Sequence, residues 1–202
     1  MKKAMMLFLI GVLLTGCTTL APAPTPTTTL VPPTSSMSAV DVVKAYKTAF
    51  DRRDVSATMA LLTDDVWLLE SNDGGWALTR EDVQAAHEFN FGVNTEVDYT
   101  DCQPSGNAVI CKLNYSLECS RDFGIGIHGN ALFKILDGKI QTIWWDFNST
   151  DMTKFWESWN KFDPWWKTTY PDEYTMANNN WMTKENGALL AKRCKEYAAT
   201  KK

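Results

Sequence analysis

The sequence predicts an α+β domain, because of the order of its elements and two breaks in composition. Segments with helical periodicity occupy residues 38–92, and four strand-like segments follow between residues 95 and 147. Helices followed by a run of antiparallel strands are typical of an α+β fold. A proline- and threonine-rich stretch precedes the first helix, and a tryptophan-rich stretch follows the last strand. We therefore expect one domain over residues 38–147 and a helical extension over residues 148–202.

The amino terminus has the features of a lipoprotein signal peptide. Two lysines precede the apolar run Ala4 to Leu14, which is shorter than the roughly 20 residues that a membrane-spanning helix needs. The run ends in Leu14-Thr15-Gly16-Cys17, which resembles the bacterial lipobox. We therefore expect residues 1–16 to be removed and lipid on Cys17 to anchor an extracytoplasmic chain in the cell membrane or outer membrane. The alternative is an ordinary signal peptide with a chance cysteine.

Residues 17–37 are predicted to be a tether. Five prolines stand among threonine, alanine and serine between Thr18 and Met37. This composition favours extended polyproline II at about 3.1 Å per residue, a reach of up to roughly 60 Å from the bilayer.

Composition argues against several partners. The net charge is −4, and removal of Lys2 and Lys3 makes it −6, with no basic stripe along the chain, so nucleic acid is not an expected partner. The chain has two histidines and no C-x-x-C pair, so neither a metal nor a cofactor is predicted. Gly124 to Gly129 matches G-x-G-x-x-G, but a predicted strand follows where a dinucleotide-binding motif requires a helix.

Four cysteines besides Cys17 predict disulfides in an oxidising compartment. They allow three connectivities, and free buried thiols are the alternative. A hairpin turn at Gly106-Asn107 places Cys102 opposite Cys111, which favours that bridge. Cys119 would then pair with Cys194 and hold the last helix against the sheet.

Capping residues predict where the first helices begin. Ser38 begins the first helix, and Asp41 stands where it completes a capping box. Asp54 begins a second, shorter helix, and Thr79 with Asp82 begins a third.

Short strands are predicted at Val66–Leu69 and Trp76–Leu78, on either side of a turn at Asp73-Gly74-Gly75. The four longer strands are Thr95–Cys102, Ala108–Cys119, Ile127–Leu136 and Lys139–Phe147.

This order of elements resembles the nuclear transport factor 2-like superfamily, which includes the SnoaL-like and ketosteroid isomerase families. The matching stretches are Val42–Phe50, Arg53-Asp54, Leu61–Val66 and Gly138–Ile140. The resemblance implies a cone in which a curved antiparallel sheet wraps around the N-terminal helices and encloses an apolar pocket. Unrelated activities share this cone, so the fold does not name a reaction.

The resemblance places isomerase roles on two residues. In ketosteroid isomerases a tyrosine and a protonated acid donate to an oxyanion, and a carboxylate moves the proton. By position the tyrosine is Tyr46 and the proton-transferring carboxylate is Glu70. The position of the second oxyanion donor is Ala131, which can neither donate nor titrate. Limonene epoxide hydrolase-like members need an acid on the last strand, and that position is Trp145. Loss of one oxyanion donor weakens transition-state stabilisation by about 3 kcal/mol, so we expect that this chain is not an enzyme. An enzyme using Tyr46 and Glu70 is the first alternative. If neither residue is catalytic, Tyr46 is a core residue and Glu70 begins a solvated turn.

Alternation along the last strand places Ile143, Trp145 and Phe147 on one face, which the resemblance implies is the pocket face. The complete predicted lining is Trp76, Ala131, Phe133, Ile135, Ile143, Trp145 and Phe147. A wall so poor in acids predicts a small apolar or aromatic ligand. The second alternative is an interaction module that dimerises through the outer face of the sheet.

The tail is predicted to contain a helix over Asp151–Trp159, a break at Asp163-Pro164, a loop-like aromatic stretch and a final helix from Lys184. Its tryptophans, five of them between Trp156 and Trp181, can serve as extra core, as a platform for a sugar or peptide, or as a contact with the membrane interface. Large aromatic residues are mostly buried, which favours core.

Overall fold

The first three helices of the domain begin at the predicted N-cap residues. The computed structural model describes residues 37–70, 79–179 and 181–201; Cys17, the tether up to residue 36, and the predicted turn and strand between residues 71 and 78 lie outside them. The helices are α1 (Ala39–Asp51), α2 (Val55–Ala60) and α3 (Arg80–Gly92).

The cap of α3 is reciprocal. The Asp82 amide donates to the Thr79 hydroxyl at 3.3 Å, and the Thr79 amide donates to the Asp82 carboxylate at 3.0 Å. Ser38 accepts from the Asp41 amide at the start of α1, and Asp54 accepts from the Ala57 amide at the start of α2. These bonds satisfy backbone donors that a helix leaves without intrahelical partners.

Five strands form one sheet in the order β1-β5-β4-β3-β2. They are β1 (Leu62–Glu70), β2 (Glu96–Ser105), β3 (Ala108–Ser116), β4 (Ile127–Leu136) and β5 (Lys139–Phe147). The pairs among β2, β3, β4 and β5 are antiparallel as predicted, whereas β1 pairs with β5 in parallel. The sheet is therefore mixed, because the chain passes through α3 and three strands before β5 returns beside β1.

Cys119 was predicted to end a strand, and this prediction was wrong. β3 stops at Ser116, and a short helix, α4 (Glu118–Asp122), follows. The Ser120 hydroxyl accepts from the Leu117 amide and donates to the Leu117 carbonyl, which ends strand pairing at this point.

α1 lies across one face of the sheet and contacts β2, β3 and β5. Its buried residues, among them Val43, Tyr46 and Phe50, pack against the inward side chains of the strands. Alternation directs Phe133 of β4 and Trp145 of β5 to this face, as predicted. The α+β class is confirmed.

Both predicted disulfides are present. Cys102 of β2 is bonded to Cys111 of β3 beside the hairpin turn. Cys119 of α4 is bonded to Cys194 in the final helix, α7 (Lys184–Ala199).

The prediction that Pro164 breaks the helix was wrong. The helix α5 (Ser149–Thr169) continues through this proline, and α6 (Pro171–Asn179) occupies much of the predicted aromatic loop. A proline inside a helix costs about 3 kcal/mol. Phe162 and Trp166 flank the proline and are almost completely buried, so their packing holds the helix together.

α7 lies unusually close to α3, at two glycines. A Cβ atom on Gly92 would overlap the carbonyl oxygen of Lys184, and one on Gly187 would overlap the carbonyl oxygen of Phe89. The contact requires glycine at both positions, and it brings the segment before α7 over the end of α3.

No helix in the described ranges combines the length and the hydropathy that crossing a bilayer requires.

Candidate functional site

A cavity of about 230 Å³ lies between the sheet and the C-terminal helices. Strands β1, β3, β4 and β5 contribute its inner wall, α3 its side, and α5 with the segment before α7 its outer wall. The lining residues are Leu68, Glu70, Ala86, Phe89, Asn90, Tyr115, Leu117, Ile127, Phe147, Met152, Phe155, Trp156, Trp181 and Met182. The set is mostly apolar, with three polar groups, which is the usual composition of a small-molecule site.

Six aromatic rings of the lining form three contacting pairs. The ring centroids are 5.3 Å apart in Phe89–Trp181, 5.2 Å in Tyr115–Phe147 and 5.4 Å in Phe155–Trp156. Contacting rings stabilise one another, so these walls present broad apolar surfaces that lose little side-chain entropy on binding.

The polar groups of the cavity are the Glu70 carboxylate, the Asn90 amide and the Tyr115 phenol. The Asn90 Oδ1 atom accepts from the Thr95 hydroxyl at 2.8 Å and from the Tyr115 hydroxyl at 3.3 Å. The oxygen of the amide is thus engaged, and among the described residues no acceptor is found for the Nδ2 group. Asn90 therefore has a donor available to a bound molecule.

Glu70 and Tyr115 act on each other electrostatically. The apolar surroundings of the half-buried Tyr115 raise its pKa, and the negative charge of Glu70 raises it further. The phenol therefore stays neutral and keeps its proton. Among the described lining residues, Glu70 alone carries a formal charge.

Tyr46, the predicted oxyanion donor, lies in the core and is bonded to His87. Its hydroxyl is 2.9 Å from the His87 Nε2 atom, and the His87 Nδ1 atom is 2.6 Å from the Val83 carbonyl oxygen. A carbonyl can only accept, so the proton of the neutral ring is on Nδ1 and Tyr46 donates to Nε2. Burial lowers the pKa of His87 to about 4, which keeps the ring neutral near pH 7.

The structure does not bring Tyr46 and Glu70 to one site. Glu70 lines the cavity, whereas Tyr46 is fully buried among Phe50, Phe133 and His87 and does not belong to the lining formed by the described residues. His87 of α3 is the residue that occupies the Tyr46 hydroxyl.

Most of the predicted pocket wall is core. Of that set Phe147 lines the cavity, while Ala131, Phe133, Ile143 and Trp145 are completely buried. Ile135 packs, partly buried, against the same core, and Trp76 lies outside the described residues.

The centre of the predicted pocket is filled by side chains. The Trp145 indole donates to the Tyr99 hydroxyl at 3.2 Å, and the Phe133 ring contacts the rings of Tyr99 and Tyr46. α1 and β2 thus occupy the space that the resemblance leaves open.

Tyr115 and Asn90 were missed by the sequence analysis, although a local pattern points to each. Alternation from Cys111 directs Tyr115 to the inner face of β3. Asn90 follows Ala86 by one helical turn, and both line the cavity. The outer wall, with Trp156 and Trp181, has no such local pattern.

Metal chemistry finds no support in the residues that the structure places. Within the described ranges no group of three or more histidine, cysteine, aspartate or glutamate side chains is arranged to hold a metal ion. His128, the second histidine, is exposed, and its Nδ1 atom is 2.9 Å from the carboxylate of Asp151.

No protein-family model matches the sequence, and no curated protein matches it. Solved structures do align with it. An NTF2-like protein of unknown function from Cytophaga hutchinsonii is 14% identical with a TM-score of 0.49, over 59% of this chain and 98% of that one. An LEH-like epoxide hydrolase from M. tuberculosis is 21% identical with a TM-score of 0.47, over 58% of this chain and 87% of that one.

A ketosteroid isomerase, described as putative, from Kribbella flavida is 14% identical with a TM-score of 0.44, over 54% of this chain and 76% of that one. These likenesses lie in the course of the backbone and do not extend to an activity. The α+β layout expected from the sequence, helices packed against a sheet whose later strands are antiparallel, is the one observed.

Proposed function

We propose that this chain is a lipid-anchored, extracytoplasmic protein whose domain binds a small apolar or aromatic molecule without transforming it. The observation that carries the proposal is the cavity of about 230 Å³, walled by three aromatic pairs. Apolar cavities lined by rings and a few polar groups favour ligands with an apolar body and a small polar part.

The position of Tyr46 supports binding over isomerase-type catalysis. An oxyanion donor must lie near the atom where charge develops. Tyr46 instead donates to His87 inside the core, and Glu70 lines the cavity with Tyr115 and Asn90. The isomerase pair suggested by the resemblance therefore has no common substrate position.

A titration of the purified domain tests the binding proposal. We expect indole and 2-naphthol to bind with one-to-one stoichiometry and to raise the melting temperature, because a ligand that prefers the folded state stabilises it. Met176→Ala is the matched control, since Met176 is an exposed apolar residue outside the lining. Absence of saturable binding by both compounds, and by charged aromatic molecules of similar size, would contradict the proposal.

The lipid anchor is proposed from the motif at Cys17 and supported by the two disulfides. Disulfides persist in oxidising compartments, which agrees with a chain exported from the cytoplasm. We expect mass spectrometry of membrane-extracted protein to find acylated Cys17 as the first residue. Cys17→Ala should abolish acylation, whereas a native chain that retains Met1, or begins at Cys17 without fatty acid, would refute the anchor.

A second candidate function, a module that dimerises through the outer face of the sheet, is favoured by one row of side chains. Ile110, Leu132 and Trp144 are neighbours in register across β3, β4 and β5. Ile110 is 41% and Trp144 42% exposed. Adjacent apolar side chains on a surface are typical of interaction sites.

Sedimentation equilibrium distinguishes this candidate from a monomeric binding protein. We expect the wild type to dimerise and Trp144→Lys to be monomeric, with Met176→Lys as the control for an exposed apolar residue off the sheet. A wild-type chain that is monomeric at all concentrations would exclude the dimer.

A further inference from the structure

We infer that the ligand of the cavity is an organic cation, an amine or quaternary ammonium group joined to an aromatic or branched apolar body. This inference rests on the proposed function, because it specifies the chemical class of the molecule that the cavity binds.

The charge of the lining is the first argument. Among the described residues of the lining, Glu70 supplies the formal charge, and it is negative. A carboxylate at an apolar cavity attracts a cation more strongly than one in bulk water, because the effective dielectric constant there is lower. The net charge of the whole chain, −4, has the same sign and favours the approach of cations.

The aromatic walls are the second argument, and it is independent of Glu70. Phe89, Trp181, Phe155 and Trp156 bring ring pairs to the cavity beside Tyr115 and Phe147. The face of an aromatic ring carries negative electrostatic potential and attracts a cation within about 6 Å of its centroid. Rings and carboxylate therefore favour the same charge.

The phenol of Tyr115 does not offset this preference, and the available Nδ2 donor of Asn90 is neutral, so it offers a hydrogen bond but no positive charge. Burial and the nearby Glu70 raise the pKa of Tyr115, so its phenol adds no charge of its own. The Tyr115 hydroxyl already donates to Asn90 Oδ1, so the phenolic proton does not offer an anion a site. An anionic ligand would meet the Glu70 carboxylate, and the described lining contains no lysine or arginine that would attract an anion.

A pair of probes of the same shape tests the inference. Benzyltrimethylammonium and neopentylbenzene differ in one atom, a charged nitrogen in place of a carbon. We expect the cation to bind wild-type protein at least about tenfold more tightly than the neutral compound in calorimetric or fluorescence titrations at low salt.

Glu70→Gln should weaken binding of the cation about tenfold and leave that of neopentylbenzene unchanged. Glu157→Gln is the matched control, since it makes the same change in net charge at an exposed position of α5 outside the lining. It should leave both affinities unchanged. The wild-type comparison of the two probes needs no variant, so it decides the question even where Glu70→Gln alters folding.

Equal affinity for the two probes, or tighter binding of neopentylbenzene, would overturn the cation inference and leave the proposed binding function intact. Failure of both probes and of the neutral aromatic compounds above would overturn the proposed function itself.

Discussion

Two polar clusters lie on the inner side of the sheet, and they differ in what surrounds them. At the first, here named the closed end, Tyr46 donates to His87 and the Trp145 indole donates to Tyr99, with side chains filling the space between. At the second, the cavity end, Glu70 and Asn90 line about 230 Å³ of open space. Both regions are rich in aromatic residues, so composition does not decide which one stays open.

The segment that covers each end decides whether that end is filled or open. Helix α1, which precedes the sheet in the chain, covers the closed end and packs directly on β2, β3 and β5. The cavity end is covered by α5 and the segment before α7, both from the C-terminal extension. The extension is held by two constraints of its own, the glycine contact with α3 and the disulfide to α4. The extension therefore does not have to pack directly on the sheet, and a cavity remains between them.

The largest expected effect comes from cutting the covalent constraint on this outer wall. The double variant Cys119→Ala/Cys194→Ala removes a bridge with a sequence separation of 75, and Cys102→Ala/Cys111→Ala removes one with a separation of 9. In the chain-entropy account, we expect losses in the free energy of unfolding of about 4.5 and about 2.6 kcal/mol, measured by urea denaturation.

Ligand binding separates the two disulfides further. Only the Cys119/Cys194 variant should weaken binding of indole, because only that bridge holds the helix that follows the outer wall. An unchanged affinity in the Cys119/Cys194 variant would show that the extension keeps its position without the bridge.

The second prediction concerns the closed end and uses pH. The pKa of His87 is about 4 in the folded protein, against an ordinary value of 6.5. Between these values the unfolded chain takes up a proton that the folded protein does not, so stability falls as the pH falls from 6.5 to 4. The loss approaches about 3 kcal/mol.

The double variant Tyr46→Phe/His87→Leu should lose this pH dependence in chemical denaturation and keep that of the carboxyl groups. The pKa values of Asp151 and Glu196 are lowered by hydrogen bonds, from His128 and Arg193 respectively, so these two acids contribute a pH dependence of their own that wild type and variant share. If wild type and variant have the same slope between pH 4 and 6.5, then His87 is hydrated in the folded protein and the closed end is not dry.

Local features of the sequence were enough to predict which elements form the closed end and which side chains point inward. Caps such as Thr79 with Asp82 and the alternation that buries Phe133 and Trp145 depend on neighbours in the chain, so their consequences can be derived from residue types. The hairpin turn likewise predicted the Cys102–Cys111 pair. What the sequence did not show is that α1 fills this space, because that depends on how closely a helix approaches a sheet.

The cavity end depends on contacts between distant segments, and sequence patterns describe these poorly. Gly92 and Gly187 allow α3 and α7 to approach, but neither glycine stands in a turn that would draw attention to it. Pro164 predicts a break by its local chemistry, and the burial of Phe162 and Trp166 overrides that preference. Glu70 was predicted as a site residue, whereas five other residues of the cavity lining come from a segment that was expected to be extra core.

The smallest expected effect gives the most direct comparison of the two ends, because the same substitution is made in both. Ala131 of the closed end is 0% exposed and stands in register with Cys111 and Trp145, whereas Ala86 of the cavity end is 7% exposed and lines open space. Ala131→Leu adds atoms to a filled core, so we expect a loss of about 1–3 kcal/mol in the free energy of unfolding. Ala86→Leu should change the free energy of unfolding by less than about 1 kcal/mol and abolish binding of indole, because the new side chain occupies the cavity.

Urea denaturation and calorimetric titration of the two variants measure both effects. Similar losses of stability at the two positions would mean that the cavity end is as tightly packed as the closed end, and the open site would then have to be abandoned.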